Sequence, residues 1–498
     1  MPTALLTSTI AVPFLIALGA SLALVPVCRL VAHRFGYVAK PSEDRWHRRP
    51  VALFGGVAIA LTLFGGTVAF GGLRELSVIL ACGTIIFVVG LVDDVVTLKA
   101  STKLIVQIAL ASVLLFFRYR LNWIPSLTLD MMLTLVWVVG MTNAFNLLDN
   151  MDGLCAGIAL IVGTALLFDL LPAEAGSTAF FQAKYLAVLL GATAGFLVYN
   201  VHPASIFLGD SGSLLLGFSF AALTLGRGQY IAGRSDPASI IAGPLLVLLI
   251  PIFDTTLVTA SRILSGRSAA VGGKDHSSHR LVALGLSERA AVAVLWLLAV
   301  IGGVIGVAVD YFNISWSGLV AVIFVLGMAI FAVYLAGIRV YEDEDTAALR
   351  EGKVTPLVVD FVYKRRAAEV LLDLCLVTIA YYAAYLLRFE GKDFEQNFSS
   401  LYRSLPIVLA TQMVAFFALG VYQGVWRYFG LSDTVVVAKA VLAGTIGSQI
   451  VILYLFRFDS YSRTVFAIYG VLLIAIVTAS RASFRLIGES LQDRKSVV

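Results

Sequence analysis

Apolar runs near twenty residues long recur from Ile10 to Leu486, about fifteen in all, and each can cross roughly 30 Å of hydrocarbon as a helix. The runs are continuously apolar and do not alternate, which excludes a barrel of segments about ten residues long. A bilayer offers the backbone no hydrogen-bond partner, so these runs are expected to be helices. Hydrophobic residues make up 59% of the 498 and charged residues 13%. With a mean hydropathy of +0.93, an ordinary soluble protein is excluded. The expected fold class is therefore all-α, a polytopic transmembrane bundle. About eleven helices are expected in residues 1–337, a cytosolic connector in 338–366 and about four helices in 367–498.

Met1 to Val27 holds no Lys or Arg and so lacks the basic region of a cleaved signal peptide. It reads as a retained first helix that starts outside. Arg34, Lys40, Arg45, Arg48 and Arg49 follow the first span, and Arg339, Arg350, Lys353, Lys364, Arg365 and Arg366 follow the eleventh. Both loops are then cytoplasmic, although Arg118 and Arg120 count against the pattern on the other face. Cys28, Cys82, Cys155 and Cys375 lack metal-ligand spacing and read as small core residues. The net charge of +5 suits loops on an anionic leaflet, and the basic residues are too dispersed for nucleic acid.

Within this apolar background Asn143-Ala-Phe-Asn-Leu-Leu-Asp-Asn-Met-Asp-Gly153 is exceptional, because it joins the end of one apolar run to the start of the next. Asn143, Asn146, Asp149 and Asp152 recur at every third residue, a step of about 60° around a helix, so four oxygen-bearing side chains would fan across one side. Ionisable groups at such depth are costly and mark function by default. Polar residues at a helix end in water are the plainer alternative. Asp93 and Asp94 close the third run, where two adjacent carboxylates call for a cation. Lys99 and Lys103 follow, four apart on one face if the next helix starts near Ser101.

The seventh run ends in Asn200-Val-His-Pro-Ala-Ser-Ile-Phe-Leu-Gly-Asp-Ser-Gly-Ser213, where Gly209 and Gly212 flank Asp210 and Ser211 or Ser213 could cap the next helix. Asp254 lies in the ninth run, either catalytic or bonded to a neighbouring helix. The next loop, Gly272-Gly-Lys-Asp-His-Ser-Ser-His-Arg-Leu281, holds His276 and His279 beside Lys274 and Arg280, a set better suited to phosphate oxygens than to a metal. The alternating topology puts all five polar clusters on the cytoplasmic side. Oxygen ligands with flanking Lys, Arg and His are what Mg²⁺ and a diphosphate require.

Taken together, Asp93-Asp94, Asn143-x-x-Asn146-x-x-Asp149-x-x-Asp152-Gly153, Gly209-Asp210-Ser211-Gly212 and Asp275-His276-x-x-His279-Arg280 resemble, in order, the motifs of the polyprenyl-phosphate N-acetylhexosamine-1-phosphate transferases, which include the phospho-N-acetylmuramoyl-pentapeptide transferase. The resemblance covers residues 10–337. It implies that a polyprenyl-phosphate oxygen attacks the β-phosphorus of a UDP-sugar, releasing UMP. It also implies Mg²⁺, with Mn²⁺ as a substitute, held by Asp210 and Asn146. Asp149 and Asp152 would line the nucleotide site, with Asn143 in the same substrate-binding row. Lys103, His276, His279 and Arg280 would lie near phosphates, and Asp93 or Asp94 would position the acceptor or take its residual proton. The stretch Lys40 to Gly56 resembles the family's first cytosolic loop. The histidine loop departs from the triple-His pattern of the pentapeptide branch and favours a UDP-N-acetylhexosamine, GlcNAc first. The implied setting is the cytoplasmic membrane, with the site facing the cytoplasm and membrane lipid around it; a homodimer fits the same resemblance.

Beyond Gly337, the acidic run Tyr341 to Asp345 and the basic Lys364-Arg365-Arg366 read as a solvated connector. Spans are expected at about Ala367–Leu387, Leu405–Tyr422, Val435–Phe456 and Val465–Leu486. Leu387-Arg-Phe389, Tyr422-Gln-Gly-Val-Trp-Arg-Tyr428 and Ser480-Arg-Ala-Ser-Phe-Arg485 resemble the membrane region that precedes nucleotide-sugar dehydratases and epimerases. No G-x-G-x-x-G occurs, so no dinucleotide chemistry is expected. The implied role is docking a nucleotide-sugar-modifying enzyme. A transporter and a non-catalytic scaffold of a polysaccharide-assembly complex remain the competing classes.

Overall fold

The computed structural model describes residues 7–39, 50–124, 126–171, 174–226, 237–264, 273–311, 314–338, 361–389, 392–422, 430–457 and 461–493. Lys40 to Arg49, Tyr341 to Asp345 and the Trp426-Arg427-Tyr428 segment lie outside the described residues. The chain divides into two compact units, residues 1–314 with 334–354 and residues 315–333 with 355–498.

In the first unit a π-helical turn, Thr7–Ala11, leads into α1 (Val12–Phe35), and a two-residue hairpin of β1 (Val38–Ala39) and β2 (Val51–Ala52) follows. Then come α2 (Gly55–Phe70), α3 (Ser77–Val96), α4 (Ala100–Phe116), α5 (Leu127–Leu148), α6 (Leu154–Leu170), α7 (Thr178–Asn200) and α8 (Gly209–Thr224). The unit continues with α9 (Pro237–Val247), α10 (Leu249–Leu264), the short α11 (Ser277–Ala283) and α12 (Glu288–Tyr311), and α13 (Ile314–Ala336) runs on from it. The all-α expectation holds.

The long helices α3, α5 and α7 are apolar on nearly all sides, the signature of a membrane span. On α3, Ile79, Cys82 and Ile86 are buried, whereas Ile85, Val88 and Val92 are exposed and form a lipid-facing side. Among the described residues eight helices are long and apolar enough to cross a membrane, or nine with one bent pair, so the chain is a multi-pass membrane protein. Several runs expected near twenty residues are shorter. α2 and α8 have 16 residues, and α4 and α6 have 17, because each is cut at one end by a turn that serves the polar cluster described below. The ninth run is not one straight span, since α9 and α10 meet at a bend of 72°. Pro251, in the first turn of α10, has no N–H for the carbonyl of Val247, where α9 ends.

At the centre lies α8. Every residue from Ser211 to Thr224 is buried, with α2, α3 and α5 packed around it. Interhelical hydrogen bonds fix the packing: Ser21 Oγ donates to Ala192 O at 2.7 Å, Trp137 Nε1 to Thr224 Oγ1 at 2.8 Å, and the Tyr185 and Ser219 hydroxyls pair at 2.9 Å. The segment before α8 is held by α2, where Gly55 and Gly56 donate their N–H groups to Phe207 O and Leu208 O. That contact brings Gly209 and Asp210 to the cluster.

The second unit contains residues 315–333 of α13 and the helices α14 (Phe361–Arg388), α15 (Lys392–Ala418), α16 (Leu431–Phe456) and α17 (Arg463–Asp493). Tyr381, Tyr385, Phe416, Phe466 and Tyr469 form its aromatic core. Buried polar groups are paired across helices. Tyr469 OH donates to Gln412 Oε1 at 3.0 Å, Gln412 Nε2 to Ala440 O at 3.1 Å and Arg481 Nη2 to Asp373 Oδ2 at 2.8 Å.

Candidate active site

The C-terminal ends of α3 and α5 meet the N-terminal ends of α4 and α8, and polar side chains from all four converge there. Asp93 and Asp94, adjacent in the last turn of α3, face different partners. Asp93 takes the Leu98 N–H on Oδ1 and the Lys103 ammonium on Oδ2 at 2.6 Å, closing the turn between α3 and α4. Lys103 also reaches Asp210 Oδ2 at 2.7 Å and so bridges two carboxylates. Lys99, four residues earlier, is the N-cap position of α4, one turn from the bridge.

Asp94 points at the backbone of the next turn. Its Oδ1 accepts the N–H of Asp210 at 2.7 Å and its Oδ2 that of Ser211 at 3.0 Å. The expectation that Ser211 or Ser213 caps α8 is therefore corrected: no side chain of the helix itself caps it, and Ser213 Oγ instead donates back to Gly209 O. Gly209 has φ +74°, and a Cβ there would lie 2.7 Å from Asp94 Oδ2.

The row Asn143, Asn146, Asp149 and Asp152 does not fan across one face. α5 ends at Leu148, and Gly153, with φ +73°, starts a new direction, so the 60° step stops at the helix end. Asn143 forms a reciprocal amide pair with Gln107 of α4, donating at 2.6 Å and accepting at 3.2 Å. Asn146 Nδ2 donates to Asp210 Oδ1 and to Ser213 Oγ, both at 3.0 Å. Asp149 follows the helix end beside the Gly209 turn. Burial, reinforced by the charges of Asp210 and Asp94, pushes its carboxyl up to about 8. Asp152 turns away to His202, accepting from the Ala204 N–H and pairing with His202 Nδ1, both at 3.0 Å.

Two participants escaped the sequence reading. Gln107 lies four residues after Lys103 on the same face of α4, and that spacing was the available signal. His202 stands 3.4 Å from Glu288 as well as beside Asp152, and its carbonyl accepts from Arg289 Nη2 at 3.1 Å. No local pattern marks it. A cavity of about 370 Å³ opens there, lined by His202, Val282, Leu286, Ser287, Glu288 and Arg289.

The histidine segment is built on α10. Asp254, which the sequence left between two roles, is a buried anchor: it accepts the Ser277 N–H at 2.7 Å, the Ser277 hydroxyl at 2.6 Å and pairs with His276 Nδ1 at 2.8 Å. Asp275 pairs with Arg262 Nε at 3.0 Å in the same buried layer. His279 is buried, and desolvation, followed by the neighbouring His276, lowers its imidazole to about 4. Arg280 departs from the expectation that it faces a phosphate. Its guanidinium donates to the carbonyls of Asp275, Leu335, Ala336 and Ile338 and to Ser261 Oγ, placing its charge on the exposed carbonyls at the C-terminal end of α13. The segment is tied to the row on α5 by Ser278 Oγ, which donates to Asn150 Oδ1 at 2.6 Å.

Fold and candidate site together describe a multi-pass membrane protein whose acidic, amide and lysine side chains are gathered at helix ends. Residues 76–227, the stretch from α3 to α8 that holds Asp93, Lys103, Asn146 and Asp210, match the glycosyl transferase family 4. Over 334 residues the chain is 34% identical to the probable undecaprenyl-phosphate N-acetylglucosaminyl 1-phosphate transferase of Bacillus subtilis, covering 65% of this chain and 91% of that relative. It is 35% identical over 301 residues to the decaprenyl-phosphate N-acetylglucosaminephosphotransferase of Mycobacterium tuberculosis, covering 54% and 74%. It is 26% identical over 322 residues to the undecaprenyl-phosphate alpha-N-acetylglucosaminyl 1-phosphate transferase of Escherichia coli K12, covering 61% and 84%. The chain belongs to glycosyl transferase family 4.

Proposed function

We propose that this protein transfers N-acetylglucosamine-1-phosphate from UDP-N-acetylglucosamine to a polyprenyl phosphate, releasing UMP, at the cytoplasmic face of the cytoplasmic membrane. The observation that carries the reading is the single cluster made by Asp93, Lys103, Asn146 and Asp210 from four helices. The activities named for the relatives support it. A transporter would hold its polar groups near mid-membrane, whereas these lie at helix ends.

In this reading an oxygen of the lipid phosphate forms a bond to the β-phosphorus of the donor. The bond from that phosphorus to the bridging oxygen breaks, and UMP departs with the electron pair. A phosphate monoester has a second pKa near 6, so the acceptor is mostly dianionic at neutral pH and needs little help from a base. No covalent aspartyl-phosphate is required. Lys103, held by the two carboxylates, is placed to meet phosphate oxygens, and Asp93 holds Lys103. Asp149 and Asp152 are assigned to the nucleotide side, and the neutral His279 offers a ring N–H as a donor.

The residues fit a magnesium ion. Among the described residues no three His, Cys, Asp or Glu side chains converge into a closed cage. Mg²⁺ is instead commonly bound by one or two carboxylates together with substrate phosphates. Asp210 with Asn146 would hold it, next to Asp93, and Mn²⁺ would substitute. When bound, it would neutralise the diphosphate.

The test is purified protein with undecaprenyl phosphate, Mg²⁺ and a panel of UDP-sugars, with UMP release measured beside an Asp210→Ala control. Metal-dependent release that the substitution abolishes supports the proposal; no release with any sugar moves the reading to a scaffold. For the second unit the proposed role is docking a nucleotide-sugar-modifying enzyme. Co-purification that is lost on truncation after Gly337 supports this, and unchanged recovery rejects it.

A further inference from the structure

The α8 helix begins at the candidate site with no cap of its own. The first N–H groups of any helix lack intrahelical partners and carry partial positive charge. In this protein two of them, from Asp210 and Ser211, are taken by the two oxygens of one carboxylate on another helix, Asp94 of α3. The junction is backbone-tight. A Cβ at Gly90, one turn before Asp94, would lie 2.6 Å from Asp210 O and Ser211 Cα. Gly209 likewise leaves no room beside the Asp94 carboxylate. The adjacent Asp93 is committed elsewhere, to Lys103 and the Leu98 N–H.

We infer that Asp94 is a positioning residue: it caps α8 from outside and thereby fixes the direction of the Asp210 carboxylate, and it is not the base that deprotonates the acceptor. Both Asp94 oxygens are engaged as hydrogen-bond acceptors by the first N–H groups of α8. The two neighbouring aspartates divide their work, Asp93 holding the cation and Asp94 the backbone. This inference rests on the transferase reading, in which Asp210 serves the metal.

Asp94→Asn and Asp94→Ala separate the possibilities, because asparagine keeps one acceptor oxygen and cannot act as a base. UMP release, Mn²⁺ binding by electron paramagnetic resonance without donor or acceptor, and the thermal midpoint are measured for each. Asp94→Asn is expected to lose activity roughly 3- to 10-fold and Asp94→Ala about 100-fold, with Mn²⁺ affinity falling in the same order. The acid limb of the pH–rate profile stays unchanged in Asp94→Asn. Equal loss of at least about 100-fold in both variants, with Mn²⁺ affinity at the wild-type level, is the signature of a missing base and overturns the inference. If Asp94→Ala does not fold, the acid limb of Asp94→Asn decides alone, its loss rejecting the inference. Wild-type protein that binds Mn²⁺ and releases no UMP counts against the transferase reading instead.

Discussion

Lys103 and Asp210, 107 residues apart in the chain, meet at 2.7 Å in the candidate active site. The lysine is partly shielded, with 20% of its side chain exposed against 31% for the aspartate, so the pair is neither a free surface ion pair nor a sealed one. Lys103→Met would leave Asp93 and Asp210 facing each other without their cation, and kcat should fall by about 10²- to 10³-fold. Lys103→Arg should not restore it, because a planar fork does not replace a point charge between two carboxylates. Steady-state UMP release checks both.

Asn146 should act on metal affinity more than on folding. Its amide reaches Asp210 and Ser213 at the mouth of α8, and Asn146→Ala removes both contacts. The Mg²⁺ concentration for half-maximal activity should rise about 10-fold, a change worth roughly 1.4 kcal/mol, while the thermal midpoint moves little. Titration of activity with Mg²⁺ gives the answer.

Asp254 should behave in the opposite way. It is buried with three partners on the histidine segment, and Asp254→Ala leaves the Ser277 N–H, the Ser277 hydroxyl and His276 without their acceptor. A loss of about 3–5 kcal/mol is expected for a broken buried pair of this kind. Unfolding in detergent reads it, and the Ser278–Asn150 contact should loosen with it.

His279 contributes to the pH dependence of stability. Its folded imidazole is lowered to about 4 by burial, whereas an unfolded histidine titrates near 6.5. Between those values the unfolded chain binds more protons, so folding stability rises with pH and is lost as pH falls from about 6.5 towards 4. Asp149, raised to about 8, contributes the opposite slope over the same window, so the His279 share is read by difference: the midpoint of wild type should fall more with acid than that of His279→Gln. An identical slope in the two proteins would remove His279 from the explanation.

Much of the candidate site was legible because its polar groups fall in short local motifs. Asp93-Asp94, Asn146, Asp149 and Asp210 stand out wherever acids and amides interrupt apolar runs, since such groups are costly in a membrane and are kept for a reason. Arg280 misled for the same reason: a cation beside histidines reads as a phosphate ligand, yet its partners are carbonyls at the end of α13, 55 and more residues away. The three-residue spacing of Asn143 to Asp152 misled where a helix ended, because periodicity says nothing past the last helical residue.

The residues alone determined that this chain is a multi-pass helical membrane protein, for continuous apolar runs in lipid leave the backbone only one way to satisfy its hydrogen bonds. They also marked the acids and amides that interrupt those runs as the candidate site. Tertiary structure decided the division of labour: that Asp93 holds Lys103 while its neighbour Asp94 holds the α8 turn, that Gln107 and His202 join the site, and that Pro251 breaks the ninth run. Neighbouring residues on a helix point about 100° apart, so identical side chains one step apart meet different helices, and which helices those are depends on packing far along the chain.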